Sequence, residues 1–239
     1  MPNELTREYA KELYELAINA QRGNNHVHAI RILERLEETG DPFYTPFALA
    51  LIAQSYNTLG QRDLQTEVFK RVTKLPKEQQ LLLHPGWIAL CYQKLGDLKT
   101  AKEIHEEVLK LTPHDPNTHA ALAEISLLQG NLDEAENWAK KLRERAEPHF
   151  QILGRIIGAF ALALRNKHDE SARELLWVGQ FLISTGNIPT GQWDYSDLQP
   201  TVAKLGANSP AAALLQDVLS GRKTLPEFIE AWKNIAPAA

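Results

Sequence analysis

The chain has 239 residues, of which 44% are hydrophobic and 23% charged, and its formal net charge is −4. This composition fits a folded globular protein, and the length allows one large core or several small units. The negative net charge gives no overall basic surface, so we expect no nucleic-acid partner. No stretch approaches the roughly 18 uninterrupted apolar residues of a membrane span. The charged, amphipathic N-terminus lacks the apolar core of a signal peptide.

A single cysteine, Cys91, excludes a disulfide within the chain. It lies in a helical pattern, and we expect it to be a small buried apolar residue. One cysteine is also typical of a reducing compartment, so we expect a cytoplasmic protein.

The first part of the chain predicts two helical hairpins. Helices are expected over residues 5–21 and 28–38, separated by the Gly23-Asn24-Asn25 break. Ala17 and Ala29, which are twelve residues apart, each place a small side chain on one of the two helices. A second hairpin begins at Thr45-Pro46, where threonine is expected to cap and proline to take the first helical position.

The second hairpin then departs from this pattern. Gln65 lies twelve residues after Ala53, at the place where the first hairpin has its second alanine. Phe69, Val72 and Leu75 then continue the apolar face of the helix. The linker over residues 76–84 contains three consecutive leucines, which we expect to pack over the helix ends.

Residues 85–148 hold two copies of one pattern, 34 residues apart. The matched pairs are Ala89 and Ala123, Gly96 and Gly130, Leu98 and Leu132, Ala101 and Ala135, and Val108 and Leu142. Glycine ends the first helix of each copy because it tolerates a left-handed backbone. Asp97 and Asn131 are then expected to cap the second helices, with Glu134 completing a box-like cap. The period and these residues strongly resemble the tetratricopeptide repeat family.

The resemblance extends more loosely to the rest of residues 9–184. Earlier matches to the third hairpin are Ala53, Tyr56 and Gly60. A fifth hairpin is predicted from helices over residues 152–165 and 169–183. Aligning Ala172 with Ala135 places Phe160 at a position that is normally small. The first of these helices is almost wholly apolar, which predicts burial on more than one side.

Beyond residue 184 the repeat stops in a loop that carries Trp193 and Tyr195. Three short helices are predicted after it: one over residues 197–205, one opened by Ser209-Pro210 and ended by Gly221, and one begun by a Thr224–Glu227 capping box. We expect these helices to cap the last hairpin. The predicted fold is all-α, a tetratricopeptide-like solenoid of about five units over residues 1–186 with a C-terminal helical extension over residues 187–239.

The resemblance implies that the first helices of the units line a concave groove that holds a peptide or a partner helix. The positions expected to face it are Tyr14, Phe47, Leu51, Gln54, Asn57, Trp87, Lys94, Asn117 and Glu124. A buried core position is an equal alternative for Trp87. One subset of the family clamps a C-terminal carboxylate with lysine, asparagine and arginine. Tyr14, Leu51, Trp87 and Leu90 occupy the matching positions here, so that clamp is not expected, and an apolar groove favours a hydrophobic peptide or an amphipathic helix.

The sequence contains no nucleotide loop, nucleophile elbow or zinc motif. The histidine pairs His26/His28 and His114/His119 are expected to be solvated loop and cap residues. We therefore expect no catalytic residue, metal or cofactor, and a non-enzymatic scaffold that binds a protein or peptide partner. Three alternatives remain open: a regulatory subunit of an enzyme, a small enzyme whose site lies in the C-terminal segment, and an autoinhibited or swapped assembly factor whose C-terminal helices lie in the groove. A homo-oligomer also stays open as a partner of the chain.

Overall fold

A computed structural model describes residues 4–187, 198, 209–219 and 221–235. Within these residues there is no β-strand, and the all-α prediction is confirmed. Five helical hairpins follow one another along the chain: α1 (Glu4–Arg22) with α2 (His26–Glu38), α3 (Tyr44–Thr58) with α4 (Arg62–Thr73), α6 (Pro85–Lys94) with α7 (Leu98–Leu111), α8 (Pro116–Leu128) with α9 (Leu132–Arg143), and α10 (Pro148–Leu164) with α11 (His168–Thr185). The short helix α5 (Lys77–Gln80) precedes α6, and α12 (Pro210–Leu219) and α13 (Leu225–Trp232) follow α11.

Each hairpin turns through one residue with a left-handed backbone. These residues, with φ between 57° and 84°, are Asn24, Gly60, Gly96, Gly130 and Asn166. Glycine adopts this conformation without a steric cost, and asparagine is one of the few other residues that tolerates it. The two asparagines therefore mark the turns of the first and fifth hairpins, where the sequence offers no glycine at this position.

The small positions lie where paired helices touch. All seven alanines assigned to them are at most 1% exposed: Ala17, Ala29, Ala53, Ala89, Ala101, Ala123 and Ala135. Gln65 fits the remaining position because its side-chain amide, Nε2, donates a hydrogen bond to the Ala53 carbonyl oxygen at 3.3 Å.

The predicted register of the fifth hairpin was wrong by one residue. Ala172 is exposed, whereas Ser171 is 5% exposed and Ala159, twelve residues earlier, is fully buried. Asn166 lies 36 residues after Gly130, and the same offset places Ala159 and Ser171 in the two small positions. Phe160 is therefore the residue after the small position.

Three other local predictions need correction. Asp41 caps α3 instead of Thr45: its Oδ1 accepts hydrogen bonds from the backbone N–H groups of Phe43 and Tyr44 at 2.9 and 2.8 Å. Asp97 caps α7 as predicted by accepting from the Thr100 N–H, but the Asn131 side chain makes no capping bond. Of the three linker leucines only Leu83 is buried, and Leu81 is 75% exposed because it follows the exposed end of α5.

The chain divides into two compact units, Met1–Val108 and Leu109–Ala239. In the first unit, α1–α4 and α6 enclose one hydrophobic core. In the second, α8–α13 enclose another, in which α10 is buried along most of its length, as its apolar sequence predicted. Gly154 allows α10 to approach α9 closely, since a β-carbon there would lie 2.5 Å from the Ala139 carbonyl oxygen.

The C-terminal helices α12 and α13 pack against α11 and against each other, in agreement with the predicted cap. Thr224 and Glu227 form the predicted capping box at the start of α13. Phe228 and Trp232 from its apolar face are buried. Of the first predicted C-terminal helix only Leu198 is described, and it is fully buried. Trp193 and Tyr195 lie outside the described residues. The division of the chain at residue 186 stays a prediction.

Candidate functional site

An open pocket of about 410 Å³ lies between α3, α4 and α6 in the first compact unit. Its lining comes from three segments of the sequence: Ala50, Leu51, Ala53, Gln54 and Asn57 on α3, Gln65 and Phe69 on α4, and Trp87 and Leu90 on α6. Leu51, Gln54, Asn57 and Trp87 were predicted to face the groove, and the fold brings these four together. We call this feature the Trp87 pocket.

One wall of the Trp87 pocket is aromatic and aliphatic. The Trp87 ring is half-buried and meets the Phe69 ring edge-on, with centroids 6.3 Å apart and an interplanar angle of 72°. Trp87 thus packs on the core of the first unit and also lines the pocket, which combines the two alternatives that the sequence left open. Leu51 and Leu90 are half-buried beside it. This wall can bind an apolar side chain by removing its surface from water.

Three amide side chains also line the pocket. Gln54 and Asn57 are exposed one turn apart on α3, and Gln65 is held in place by its hydrogen bond to Ala53. Behind α3, the Gln21 amide donates to the Leu51 carbonyl oxygen at 3.0 Å and to the Ser55 hydroxyl at 2.8 Å, which ties α1 to α3. The nine lining residues include no charged side chain, so the pocket favours a neutral ligand surface.

Tyr14 and Phe47 lie in an aromatic cluster with Tyr44 and Phe43. The Tyr14 ring centroid is 5.6 Å from that of Tyr44 and 6.3 Å from that of Phe47. Burial, and then the neighbouring Tyr44 hydroxyl, raise the pKa of Tyr14, so it remains a neutral phenol. Phe47 is about one helical turn before Leu51 on α3, so the cluster continues the apolar side of the pocket.

The other three predicted groove residues are not part of this pocket. Lys94 is the last residue of α6 and is half-buried. Asn117 is exposed at the start of α8, where the Asp115 carboxylate accepts hydrogen bonds from its backbone N–H and its side-chain amide. Glu124 is only 3% exposed. The last two belong to the second compact unit.

Sequence reasoning missed Phe69 as a site residue. The sequence placed Phe69 on the apolar face of α4, and Phe69 does pack in the core of the first unit. The sequence did not predict that the Phe69 ring also lines the pocket. Its position four residues after Gln65 was the available signal, since these two lie on the same face of α4.

The histidines differ in their surroundings. His28 and His114 are exposed as predicted, but His119 is only 5% exposed, which corrects its assignment as a solvated residue. Its Nε2 donates to the Pro113 carbonyl oxygen at 3.0 Å, and its ring lies 5.1 Å from that of Trp138. Burial lowers the pKa of His119. Cys91 is fully buried, which raises the pKa of its thiol and suits the predicted core role.

Among the residues that the structure describes, no group of three or more His, Cys, Asp and Glu side chains could hold a metal ion. No described helix combines the length and the apolar character that a membrane span requires.

The model of the tetratricopeptide repeat family matches residues 92–153. This segment of the chain is thus similar to tetratricopeptide repeats. The matched segment includes the Gly96 and Gly130 turns and the small residues Ala101, Ala123 and Ala135, which are the features that carried the resemblance.

A curated relative with a significant match is BBSome complex member BBS4 of Mus musculus, 31% identical over 105 residues. The match covers 44% of this chain and 20% of BBS4, so it spans a fifth of that relative's length.

Solved structures share the fold at low identity. A MamA fragment from Desulfovibrio magneticus RS-1 superposes with a TM-score of 0.57 at 18% identity, covering 75% of this chain and 98% of that one. In the APC/C hetero-tetramer Cut9-Hcn1, a chain superposes with a TM-score of 0.51 at 14% identity, and the superposition covers 97% of this chain and 43% of that one. The predicted tetratricopeptide-like solenoid class is thus confirmed.

Proposed function

We propose that this chain is a non-catalytic binding module that holds a segment of a partner protein in a groove centred on the Trp87 pocket. The observation that carries the proposal is the meeting of Leu51, Gln54, Asn57 and Trp87, from two different hairpins, around one open pocket. The aromatic cluster of Tyr14 and Phe47 would extend the binding surface along α3.

The chemistry of the lining favours binding over catalysis. Its side chains are aliphatic, aromatic or amide, so none of them is a strong acid, base or nucleophile at neutral pH. Aromatic residues in a groove supply binding energy through desolvated contact, and neighbouring amides supply orientation through hydrogen bonds. We place the module in the cytoplasm, because its one cysteine is a buried thiol that has no disulfide partner in the chain.

The proposal is tested by photo-crosslinking in extract from the native cell. A benzophenone amino acid at position 57 in the full chain should crosslink to a discrete partner. The same group at Arg31, which is exposed on α2, serves as the control for non-specific capture. Adding Trp87→Ala should abolish the position-57 product. Equal products at both positions, or a product that survives Trp87→Ala, would contradict the assignment of the groove.

Folding must be measured alongside binding, because Trp87 also packs on Phe69. We expect Trp87→Ala to weaken partner binding by about 2 kcal/mol or more, and to lower the free energy of unfolding by less than this. The check is a thermal melt together with an affinity measurement on the crosslinked partner once it is identified. A variant that binds normally but melts early would make Trp87 a core residue only.

A further inference from the structure

The groove along α3 presents hydrogen-bond donors that have no acceptor in the described part of the chain. They are the hydroxyls of Tyr14 and Tyr44, the indole N–H of Trp87 and the side-chain amides of Gln54 and Asn57. Gln54 and Asn57 are exposed, and the other three side chains are only half-buried. All five groups are neutral, and the indole N–H can only donate. A ligand that presents neutral acceptors therefore matches this surface.

The backbone conformation of a ligand decides how many acceptors it presents. An α-helix uses its carbonyl groups internally, apart from the last four. A β-type segment leaves its carbonyl groups free, but it also leaves N–H groups that need acceptors of their own. A polyproline II segment has no internal hydrogen bonds, and each proline lacks the N–H. A proline-rich backbone thus presents the most acceptors with the fewest unpaired donors.

The aromatic rings of the groove suit proline side chains. Tyr14 contacts Tyr44 and Phe47, with ring centroids 5.6 and 6.3 Å away and interplanar angles of 44° and 62°. These rings and that of Trp87 are half-buried, so each keeps part of its surface open to a ligand. Proline-rich segments bind in aromatic-lined grooves because the apolar pyrrolidine packs on the rings and the preformed chain loses little entropy.

The spacing along α3 also fits a polyproline II segment. Tyr44, Phe47, Leu51 and Gln54 follow one another every three or four residues, so they share one face of α3. The seven residues from Tyr44 to Leu51 correspond to about 10.5 Å along the helix axis. One turn of polyproline II, which has three residues, is about 9.3 Å long. Prolines three residues apart would therefore reach the aromatic cluster and then the wall formed by Leu51 and Trp87.

We infer that the groove binds a neutral, proline-rich segment of the partner in the polyproline II conformation, with prolines at every third residue. This inference rests on the proposed function and names the chemical class of the ligand at that site. The proline rings pack on the aromatic cluster and on Trp87, and the ligand's carbonyl groups accept hydrogen bonds from the tyrosine hydroxyls, the indole and the amides.

The probe is a fluorescein-labelled, amidated peptide of four Pro-Gln-Ala repeats. Two comparison peptides are used: four Pro-Gln-Ala-Ala repeats, which place the prolines at every fourth residue, and four Ala-Gln-Ala repeats, which contain no proline. Binding to the full chain is measured by fluorescence anisotropy, and the conformation of each peptide by circular dichroism.

We expect the Pro-Gln-Ala peptide to bind at least about tenfold more tightly than either comparison peptide. Tyr14→Phe and Tyr44→Phe keep the rings and remove the hydroxyls, and each should weaken binding about two- to tenfold. Trp87→Phe removes the indole N–H and should have a similar effect. Tyr9→Phe is the matched control, since the Tyr9 hydroxyl accepts a hydrogen bond from Arg35 of α2 at 2.7 Å, and it should leave binding unchanged. Thermal melts check that each variant folds.

Other results would overturn the inference. Equal binding of either comparison peptide would reject the proline spacing, and Pro-Gln-Ala binding that all three groove substitutions leave unchanged would place the peptide elsewhere. Failure of the Pro-Gln-Ala peptide to bind would also reject the ligand class. An excess of this peptide should reduce the position-57 crosslink to the native partner. A crosslink that Trp87→Ala abolishes but the peptide does not reduce would leave the proposed function standing and reject the proline-rich ligand.

Discussion

The indole ring of Trp232 lies directly against the backbone of Gly179, so closely that a β-carbon at residue 179 would overlap the ring. Trp232 is 3% exposed, and the Phe228 side chain beside it is fully buried. Because Gly179 has no side chain, α11 leaves room for the Trp232 ring, and α13 packs against α11 at this position. This contact ties the C-terminal extension to the last hairpin.

Gly179→Ala is expected to displace Trp232 and lower the free energy of unfolding by about 1–3 kcal/mol, since overpacking forces a shift of ring or backbone. Thermal melts and limited proteolysis of the C-terminal helices measure this. Gln180→Ala, at the exposed neighbour, is the control and should have little effect. In a Trp232→Ala background, Gly179→Ala should cost much less, because the overlapping ring is gone. Equal costs in both backgrounds would contradict the contact.

Deleting residues 187–239 should expose the apolar faces of α10 and α11 and cause self-association. The reason is that Ile156, Phe160 and Leu175 are at most 3% exposed in the complete chain and lie under α12. Burial of one such side chain stabilises by about 1.5–3 kcal/mol. Sedimentation velocity of the shortened and full chains checks the outcome. A shortened chain that is monomeric and equally stable would reject the capping role.

Ala135→Leu should destabilise by about 1–3 kcal/mol, because Ala135 is fully buried where α8 and α9 meet and a larger side chain overpacks that contact. Ala172→Leu is the matched control, since Ala172 is exposed on α11, and it should change the thermal midpoint little. Chemical denaturation of both variants provides the comparison. The opposite order of effects would restore the register in which Ala172 occupies the small position.

The stability of the chain should depend on pH through His119. Burial lowers the pKa of His119 in the folded protein, while in the unfolded chain it is about 6.5. Above that value both states carry a neutral ring. As the pH falls towards the lower folded pKa, the unfolded state binds the proton first, so the free energy of unfolding decreases.

The measurement is the free energy of unfolding between about pH 7 and 5 for the native chain and for His119→Phe, which keeps a ring against Trp138 but does not titrate. The native chain should lose more stability than His119→Phe over this range. Parallel pH profiles for the native chain and His119→Phe would contradict the effect of burial.

The helices and the spacing of their turns could be predicted from the sequence, because both follow from local chemistry. Gly60, Gly96 and Gly130 mark three turns, since each must adopt a left-handed backbone that other residues rarely accept. The small alanines follow at fixed distances from these turns. The Thr224–Glu227 capping box likewise needs only neighbouring residues. These patterns repeat at about the same period, so they also predicted the family and the all-α class.

The tertiary structure decided which side chains share an environment. The fifth hairpin has asparagine instead of glycine at its turn, so its register became clear only from the burial of Ala159 and Ser171. His119 looked like a solvated cap residue until α9 placed Trp138 against it. The lining of the Trp87 pocket also needed the fold, because it combines residues of α3, α4 and α6 that are distant in the sequence. Local patterns determine which residues form a helix, whereas long-range packing determines which helix faces remain uncovered.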